Sequence, residues 1–326
     1  MRVLITGING FIGSWLAEEL LSRNISVAGT VLHKRKTNNI NHIKDRIEII
    51  QCDIRNKNIV EKIIKKVFPD LIFHLAAQSF PTVSWLDPTG TVETNVIGTI
   101  NIFESVRRTK LNPKILVACS SAEYGLVTPE EVPVKEEHTL LPLHPYGVSK
   151  VAQDLLAYQY FKNFDIHTVR ARIFNTTGPR KVNDVCSDFA SRIAELEVNK
   201  KENKMLVGNL NTRRDFTDVR DVVHAFWLLM EHAKPGEVYN ICSSKAYLIK
   251  DILDKLLGYS IKEIKIEIDP KKLRPADEPI IMGDNTKLKA QCGWEPKIPI
   301  DKTLKDTLNY WRNIYNQEAQ LKVRKK

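Results

Sequence analysis

The sequence predicts an α/β protein built on a doubly wound parallel sheet, with a smaller α/β lobe towards its C-terminal end. Two observations lead there. Short β-rich runs alternate with amphipathic helical stretches through the first half of the chain, the pattern of a parallel sheet whose crossover helices cover both faces. After about Arg172 the alternation loosens, proline and glycine punctuate more often, and short pieces such as Leu206-Val207 and Val238 to Ile241 stand between loops. The first strand is expected at Val3 to Thr6, followed by a helix over Ile12 to Leu21, where Ile12, Leu16 and Leu20 recur at helical spacing. Strands follow at Ser26 to Val31 and Ile47 to Gln51, a helix at Ile59 to Val67, and strands at Leu71 to Leu75 and Ile115 to Cys119. Residues 1–172 are read as the sheet domain and 173–326 mainly as a substrate lobe. The chain is expected to return to the sheet around 215–245, because Asp218 to His232 reads as a further sheet-covering helix.

The composition suits this architecture. Of 326 residues, 43% are hydrophobic and 27% charged, with 14 Gly and 15 Pro, which is enough apolar surface for a sizeable core and is not a disordered profile. The formal charge of +10 would point to nucleic acid if the basic groups formed a stripe interleaved with aromatics. They are scattered instead, with short runs at His33 to Lys36, Lys200 to Lys204 and Lys322 to Lys326. A phosphorylated, anionic small substrate accounts for the positive potential, and no nucleic-acid partner is expected. The five cysteines, Cys52, Cys119, Cys186, Cys242 and Cys292, form no CxxC pair, so neither a disulfide framework nor a metal site is indicated and a reducing cytoplasm is expected. The chain opens directly on a strand, leaving no room for a signal peptide, and no apolar run reaches membrane-spanning length.

The chemistry begins at Thr6-Gly7-Ile8-Asn9-Gly10-Phe11-Ile12-Gly13, a turn placed directly after the first strand and opening the first helix. Glycine there permits a tight turn and close backbone approach to a pyrophosphate, whose charge is met by free N–H groups and the helix dipole. A dinucleotide held by Gly7, Asn9, Gly10, Phe11, Ile12 and Gly13 is the expectation, and the sheet is then of the Rossmann kind. At the end of the second strand no acid is present to bind a ribose 2′-hydroxyl. His33, Lys34 and Arg35 stand there, and they suit a 2′-phosphate, so NADP is favoured and NAD remains open.

Tyr146 and Lys150 are four residues apart on one helix face, just after Pro145, which suits a helix start. An ammonium beside the phenol should lower its pKa and make it a base for a sugar hydroxyl. Ser120-Ser121 at the end of the fifth strand brings a hydroxyl to the same oxygen. Ser121, Tyr146 and Lys150 form the expected catalytic core, with both the phenol and the ammonium also touching the dinucleotide.

The three-residue glycine spacing and the TGxxGFIGS wording resemble the extended branch of the short-chain dehydrogenase/reductases. That resemblance implies further roles. Asp53 and Ile54 stand where the family lines the adenine, and His74-Leu75-Ala76-Ala77 is similar to its dinucleotide-lining HLAA segment. Asn175 and Arg180 resemble its loop beside the substrate diphosphate and base, Arg214 resembles its diphosphate clamp, and Arg274 and Asp277 resemble an RPxE segment that reaches ribose hydroxyls. Ser79 in Ala77-Gln78-Ser79 joins the substrate residues. The likeness runs from Met1 to about Trp311, and is nearest to enzymes of GDP-sugar metabolism. It implies a homodimer, or a dimer of dimers, paired through the helix bearing Tyr146 and through residues from Thr89 to Arg108.

Glu123, in Ser121-Ala122-Glu123-Tyr124-Gly125, decides the expected reaction. Sugar 4,6-dehydratases of this branch carry a Ser/Thr-x-Glu arrangement whose Glu removes the C5 proton. One residue is missing between Glu123 and Tyr124-Gly125 relative to them, and Ala122 replaces the acid of the dTDP-glucose type. The expectation is a 4,6-dehydratase acting on a GDP-hexose such as GDP-mannose. The alternatives are reduction of GDP-4-keto-6-deoxy-mannose and C4 epimerisation. A non-catalytic dinucleotide-sensing regulator would have no need of Ser121, Tyr146 and Lys150 together.

Overall fold

The computed structural model describes residues 1–34, 37–199, 203–272 and 279–324. Its strands are β1 (Arg2–Thr6), β2 (Ser26–Val31), β3 (Glu48–Gln51), β4 (Leu71–His74), β5 (Lys114–Ser120), β6 (Thr168–Ile173), β7 (Asn175–Thr177), β8 (Lys204–Val207), β9 (Arg213–Asp218), β10 (Val238–Ile241), β11 (Ala246–Leu248), β12 (Lys265–Ile268) and β13 (Ile280–Ile281). The helices are α1 (Phe11–Ser22), α2 (Lys57–Val67), α3 (Pro81–Leu86), α4 (Pro88–Val92), α5 (Gly98–Thr109), α6 (Pro145–Phe164), α7 (Val185–Val198), α8 (Val219–His232), α9 (Ile249–Gly258), α10 (Thr286–Cys292) and α11 (Ile300–Arg324).

Seven strands form the central sheet in the order β3-β2-β1-β4-β5-β6-β10, every neighbouring pair parallel. All five strands expected from the sequence belong to it. The sixth, TVRARI, was not expected, because Arg170 and Arg172 interrupt a β-rich run that is nevertheless almost wholly buried. Helices α1 and α8 cover one face, with Leu16, Leu20, Phe226 and Trp227 in its core. The other face is closed by α2, α5 and α6 through Ile63, Ile64, Phe103 and Ala157. A separate apolar cluster joins α7, α9 and α11 through Ile193, Leu253 and Leu304. Beside it β9 pairs with β7, β11 and β13, and β8 pairs with β12.

The strand order reverses between β1 and β4, and a ligand crevice forms outside the strand ends at such a point. Both loops bounding it are tight. Gly7 has φ +73°, and a Cβ there would lie 3.0 Å from the Cα of Ala76, the loop residue after β4. A Cβ on Gly13, in the first turn of α1, would lie 2.5 Å from the Gly7 carbonyl oxygen. The helix therefore starts hard against the strand–turn backbone, and its N-cap, Gly10, has no side chain to bond the first N–H groups. Gly13→Ala should lower stability by about 1–3 kcal/mol through overpacking, read by chemical denaturation. Unchanged stability would mean that the turn has slack the geometry does not show.

Candidate active site

Strand β5 ends at Ser120 and passes straight into a 3₁₀ turn, Ser121–Glu123. The turn is closed by a reciprocal cap: Ser120 Oγ accepts the Ala122 N–H at 3.2 Å, and Glu123 Oε1 accepts the Ser120 N–H at 2.8 Å. Facing it is the first turn of α6, where Pro145 occupies a starting position and His144 accepts the Gly147 N–H at 3.0 Å. Tyr146 lies there beside the Ser120 side chain. One turn on, Lys150 is buried and donates to the Ala118 carbonyl of β5 at 2.7 Å. Its Nζ lies 5.7 Å from the centre of the Tyr146 ring. The end of β5 and one face of α6 thus bring together Ser120, Tyr146 and Lys150.

Ser120 is the last strand residue and Ser121 the first of the turn, so the two hydroxyls stand next to each other where β5 meets α6. One expectation about the phenol is corrected. The Tyr146 phenol is not lowered: burial pushes it up to about 12, against the pull of the neighbouring Ser120 side chain. Lys150 is itself lowered by burial.

The Glu123 side chain is 0% exposed. Its Oε2 lies 3.2 Å from Arg172 Nε, and that nitrogen donates to Asp154 Oδ2 at 2.9 Å. Arg170 completes the cluster, with Nη1 2.6 Å from Asp154 Oδ1. Both carboxylates lie close to Cys119 Sγ, all three ligating atoms being within 4.8 Å of one another. Burial works against the Arg172 charge, but Asp154, Tyr124 and Glu123 more than offset it and the guanidinium stays protonated. Burial, and then the neighbouring Asp154, push Glu123 up to about 8. Among the described residues Glu123 Oε2 has no hydrogen-bond partner.

On the dinucleotide side, Thr6 Oγ1 accepts the N–H groups of Leu75 and Ala76, each at 3.1 Å, and therefore gives its proton to His74 Nδ1 at 2.9 Å. His74 Nε2–H then donates to Thr99 Oγ1 at 2.9 Å. The imidazole is neutral, because burial and the Lys150 charge lower its pKa to about 3. This chain of bonds fixes the Leu75-Ala76-Ala77 segment opposite Gly7. Asn9 is tied through its carbonyl to Asn39 at 3.1 Å, and Gly10, Phe11, Ile12 and Gly13 form the start of α1. Asp53 is gripped by Arg55 through paired bonds and held below the usual carboxylate range, while Ile54 is buried. His33 and Lys34 are exposed just beyond β2; Arg35 lies outside the described residues.

The expected substrate residues are more dispersed. Ser79 is exposed in the loop leading to α3. Asn175 on β7 donates to the Asp215 carbonyl at 3.2 Å, and Arg214 lies half-buried on the neighbouring β9. Arg180 departs from its expected place beside the substrate diphosphate. It packs on α1, 2.6 Å from Glu18 Oε1 and 3.2 Å from Ser14 Oγ, with its guanidinium carbon 4.3 Å from the centre of the Trp15 ring. Arg274 and Asp277 lie outside the described residues. Asp154, absent from the expected site, had a signal, since it continues the helical spacing of Tyr146 and Lys150.

The raised Glu123 carboxyl carries a signed consequence. Its folded-state pKa, about 8 against an ordinary value of 4.5, means that its contribution to stability is complete below the ordinary value and is lost as pH rises through the folded one. Glu123→Gln removes that dependence. The melting temperature of the variant should gain on wild type as pH is raised from about 5 to about 8, measured by scanning calorimetry. A constant difference across that range would assign Glu123 an ordinary ionisation.

Comparison with known proteins agrees with this architecture. The family model described as GDP-mannose 4,6 dehydratase matches residues 4–307. The GDP-6-deoxy-D-mannose reductase of Pseudomonas aeruginosa is 29% identical over 97% of this chain and 99% of its own length. GDP-mannose 4,6 dehydratase 2 of Arabidopsis thaliana is also 29% identical, over 93% of this chain and 84% of its own. Among solved structures, RMD from Pseudomonas aeruginosa complexed with NADPH superposes with a TM-score of 0.85 at 27% identity, over 96% of this chain and 99% of that one. The match over almost the whole chain, on a parallel sheet with a glycine turn after β1 and a Tyr146–Lys150 face on α6, makes this protein a member of the GDP-mannose 4,6 dehydratase family, an NAD(P)-dependent enzyme of the extended short-chain dehydrogenase/reductases.

Proposed function

We propose that the chain is an NADPH-dependent reductase of a GDP-linked 4-keto-6-deoxyhexose. One observation carries this reading over dehydration: the carboxyl that elimination would need, that of Glu123, is enclosed between the Ser120 N–H and Arg172. Ala122, beside it in the turn, has no proton-accepting group. Reduction at C4 asks for a proton donor at one oxygen and for nothing at C5 or C6. Tyr146 suits that task, since burial keeps its phenol protonated, and the Ser121 hydroxyl, next to Ser120 at the start of the turn, is proposed to offer a second hydrogen bond to the same oxygen as it gains charge. The Lys150 ammonium stabilises the phenolate left behind. Gly7, Gly10 and Gly13 fit a pyrophosphate, because a Cβ at Gly7 or Gly13 would crowd the turn and the N-cap of the helix, Gly10, has no side chain. The dinucleotide supplies hydride when bound. His33 and Lys34, exposed just beyond β2, support the phosphorylated form. Asn175 and Arg214 are the groups proposed to meet the substrate diphosphate. The full-length likeness to a GDP-6-deoxy-D-mannose reductase supports the same direction.

We also propose a homodimer through α6 and residues 89–108. Val148, Leu155 and Tyr158 on α6 are 52%, 53% and 43% exposed, and Val92 and Ile97 are exposed nearby in sequence, an apolar display that a second copy would cover. Light scattering should return twice the chain mass, and the monomer mass at micromolar concentration would refute the pairing.

The reaction is tested with two substrates. With GDP-4-keto-6-deoxy-mannose the protein should consume NADPH, followed by the absorbance of the reduced nicotinamide. With GDP-mannose and NADP it should form no product lighter by one water in mass spectrometry; that product would make the chain a dehydratase. Tyr146→Phe should bind NADPH normally and lower kcat by about a hundredfold or more, as loss of general acid catalysis does.

A further inference from the structure

We infer that Asp215 is a positioning residue for the substrate: its buried carboxylate joins the end of the central sheet to the substrate lobe, and so holds Arg214 and Asn175 where a nucleoside diphosphate would meet them. This rests on the roles proposed above for those two residues. Asp215 lies in β9 and is 0% exposed. Its Oδ1 accepts the Ser243 N–H at 2.8 Å and the Ser243 hydroxyl at 2.6 Å. Its Oδ2 accepts the Ser244 N–H at 3.0 Å and the Gly283 N–H at 3.3 Å. Three segments far apart in the chain therefore converge on one carboxylate: β9, the turn leaving β10 and the residues after β13. The backbone of the same residue carries a further link, since its carbonyl accepts the Asn175 side chain at 3.2 Å. Arg214 is its neighbour in β9, in register with Ile281 of β13 and Tyr247 of β11.

The joint is more than ordinary packing. Ser244 is held at φ +56°, in the left-handed region that residues other than glycine occupy only where their surroundings enforce it. Its hydroxyl accepts the Asn285 N–H at 3.1 Å, and the Asn285 side chain donates to the Cys242 carbonyl at 2.9 Å. Gly283 has no room to shift: a Cβ there would lie 2.6 Å from Phe174 Cζ and 2.7 Å from Cys242 Sγ. Burial pushes the Asp215 carboxyl up to about 6 against the pull of its donors, so enclosing this charge costs more than its hydrogen bonds return. What the charge provides is direction. With both oxygens committed, β9 can neither slide nor rotate against the end of β10 without breaking charge-assisted bonds. The central sheet carries the glycine turn and packs against α6, so the joint sets the place of the substrate diphosphate relative to the dinucleotide and to Tyr146.

The test measures binding of GDP and of NADPH separately by calorimetry, in wild type, Arg214→Ala, Asp215→Asn and the double variant. Asparagine keeps the shape of Asp215 but turns an NH2 group towards N–H donors. Asp215→Asn should weaken GDP binding about tenfold and leave NADPH binding within about twofold, and KM for the keto-sugar should rise while kcat stays within about threefold. Arg214→Ala should also lose about tenfold for GDP, and the double variant should stay within about threefold of the weaker single one, because Asp215 acts through the residue already removed. Losses that multiply, GDP binding unchanged in Asp215→Asn, or equal losses for GDP and NADPH would each overturn the inference. If Asp215→Asn does not fold, Ser243→Ala, which removes one of the four bonds, should weaken GDP binding about threefold with NADPH binding unchanged; unchanged GDP binding there would overturn the inference as well. Arg214→Ala that binds GDP as wild type does would refute the proposed diphosphate contact and the inference with it, whereas a loss in Arg214→Ala with none in Asp215→Asn would overturn the inference alone.

Discussion

Asp154 is the charge around which the active half of the molecule is assembled. One fully enclosed carboxylate takes Arg170 on one oxygen and Arg172 on the other, and each arginine carries the connection further. Arg170 gives two donors to the Gly236 carbonyl ahead of β10. Arg172 reaches the Tyr124 hydroxyl and the Glu136 carbonyl, and Tyr124 in turn donates to Asn240 of β10 at 2.6 Å. A helix, two strands and the turn after β5 are thereby referred to a single buried anion. Such a cluster adds little net stability compared with an apolar core, but removing one member typically costs about 3–5 kcal/mol because the others are left uncompensated. Its value is in geometry.

The same logic runs along the rest of α6. Ser149 accepts from Asn95, Lys150 holds β5, and Gln153 donates to Thr99, which also receives His74. Asn95 belongs to a π-helical turn, Glu93–Ile97, set between α4 and α5, and its side chain holds both the N–H and the carbonyl of Gln78. An apolar helix face tolerates sliding and rotation, whereas directional bonds to four different elements do not. Much of the inner face of α6 is polar, and this sets the rotation of Tyr146 and the path of the loop after β4 together.

Much of this was legible in the chain. The β-rich runs of β1 to β5 and the glycine turn follow from local pattern, because apolar spacing and tight turns are properties of neighbouring residues. So does the Tyr146–Lys150 face. β6 was hidden because Arg170 and Arg172 read as surface charge until Asp154, sixteen and eighteen residues away, is brought beside them. The inward turn of Glu123 has a related cause. Four consecutive residues in a tight turn point in very different directions, and the directions depend on where β5 stops.

The path of the chain between β6 and β10 has a consequence for synthesis. β10 completes the central sheet beside β6, yet β7, α7, β8, β9 and α8 come between them in the chain. While the ribosome is still translating that segment, β6 has an open hydrogen-bonding edge, and the face later covered by α8 is bare. Open strand edges are templates for pairing with other chains, and distant partners close slowly. Asp154 precedes Arg170 and Arg172 in the chain, so α6 can pair both arginines and hold β6 in register while its edge still waits for β10.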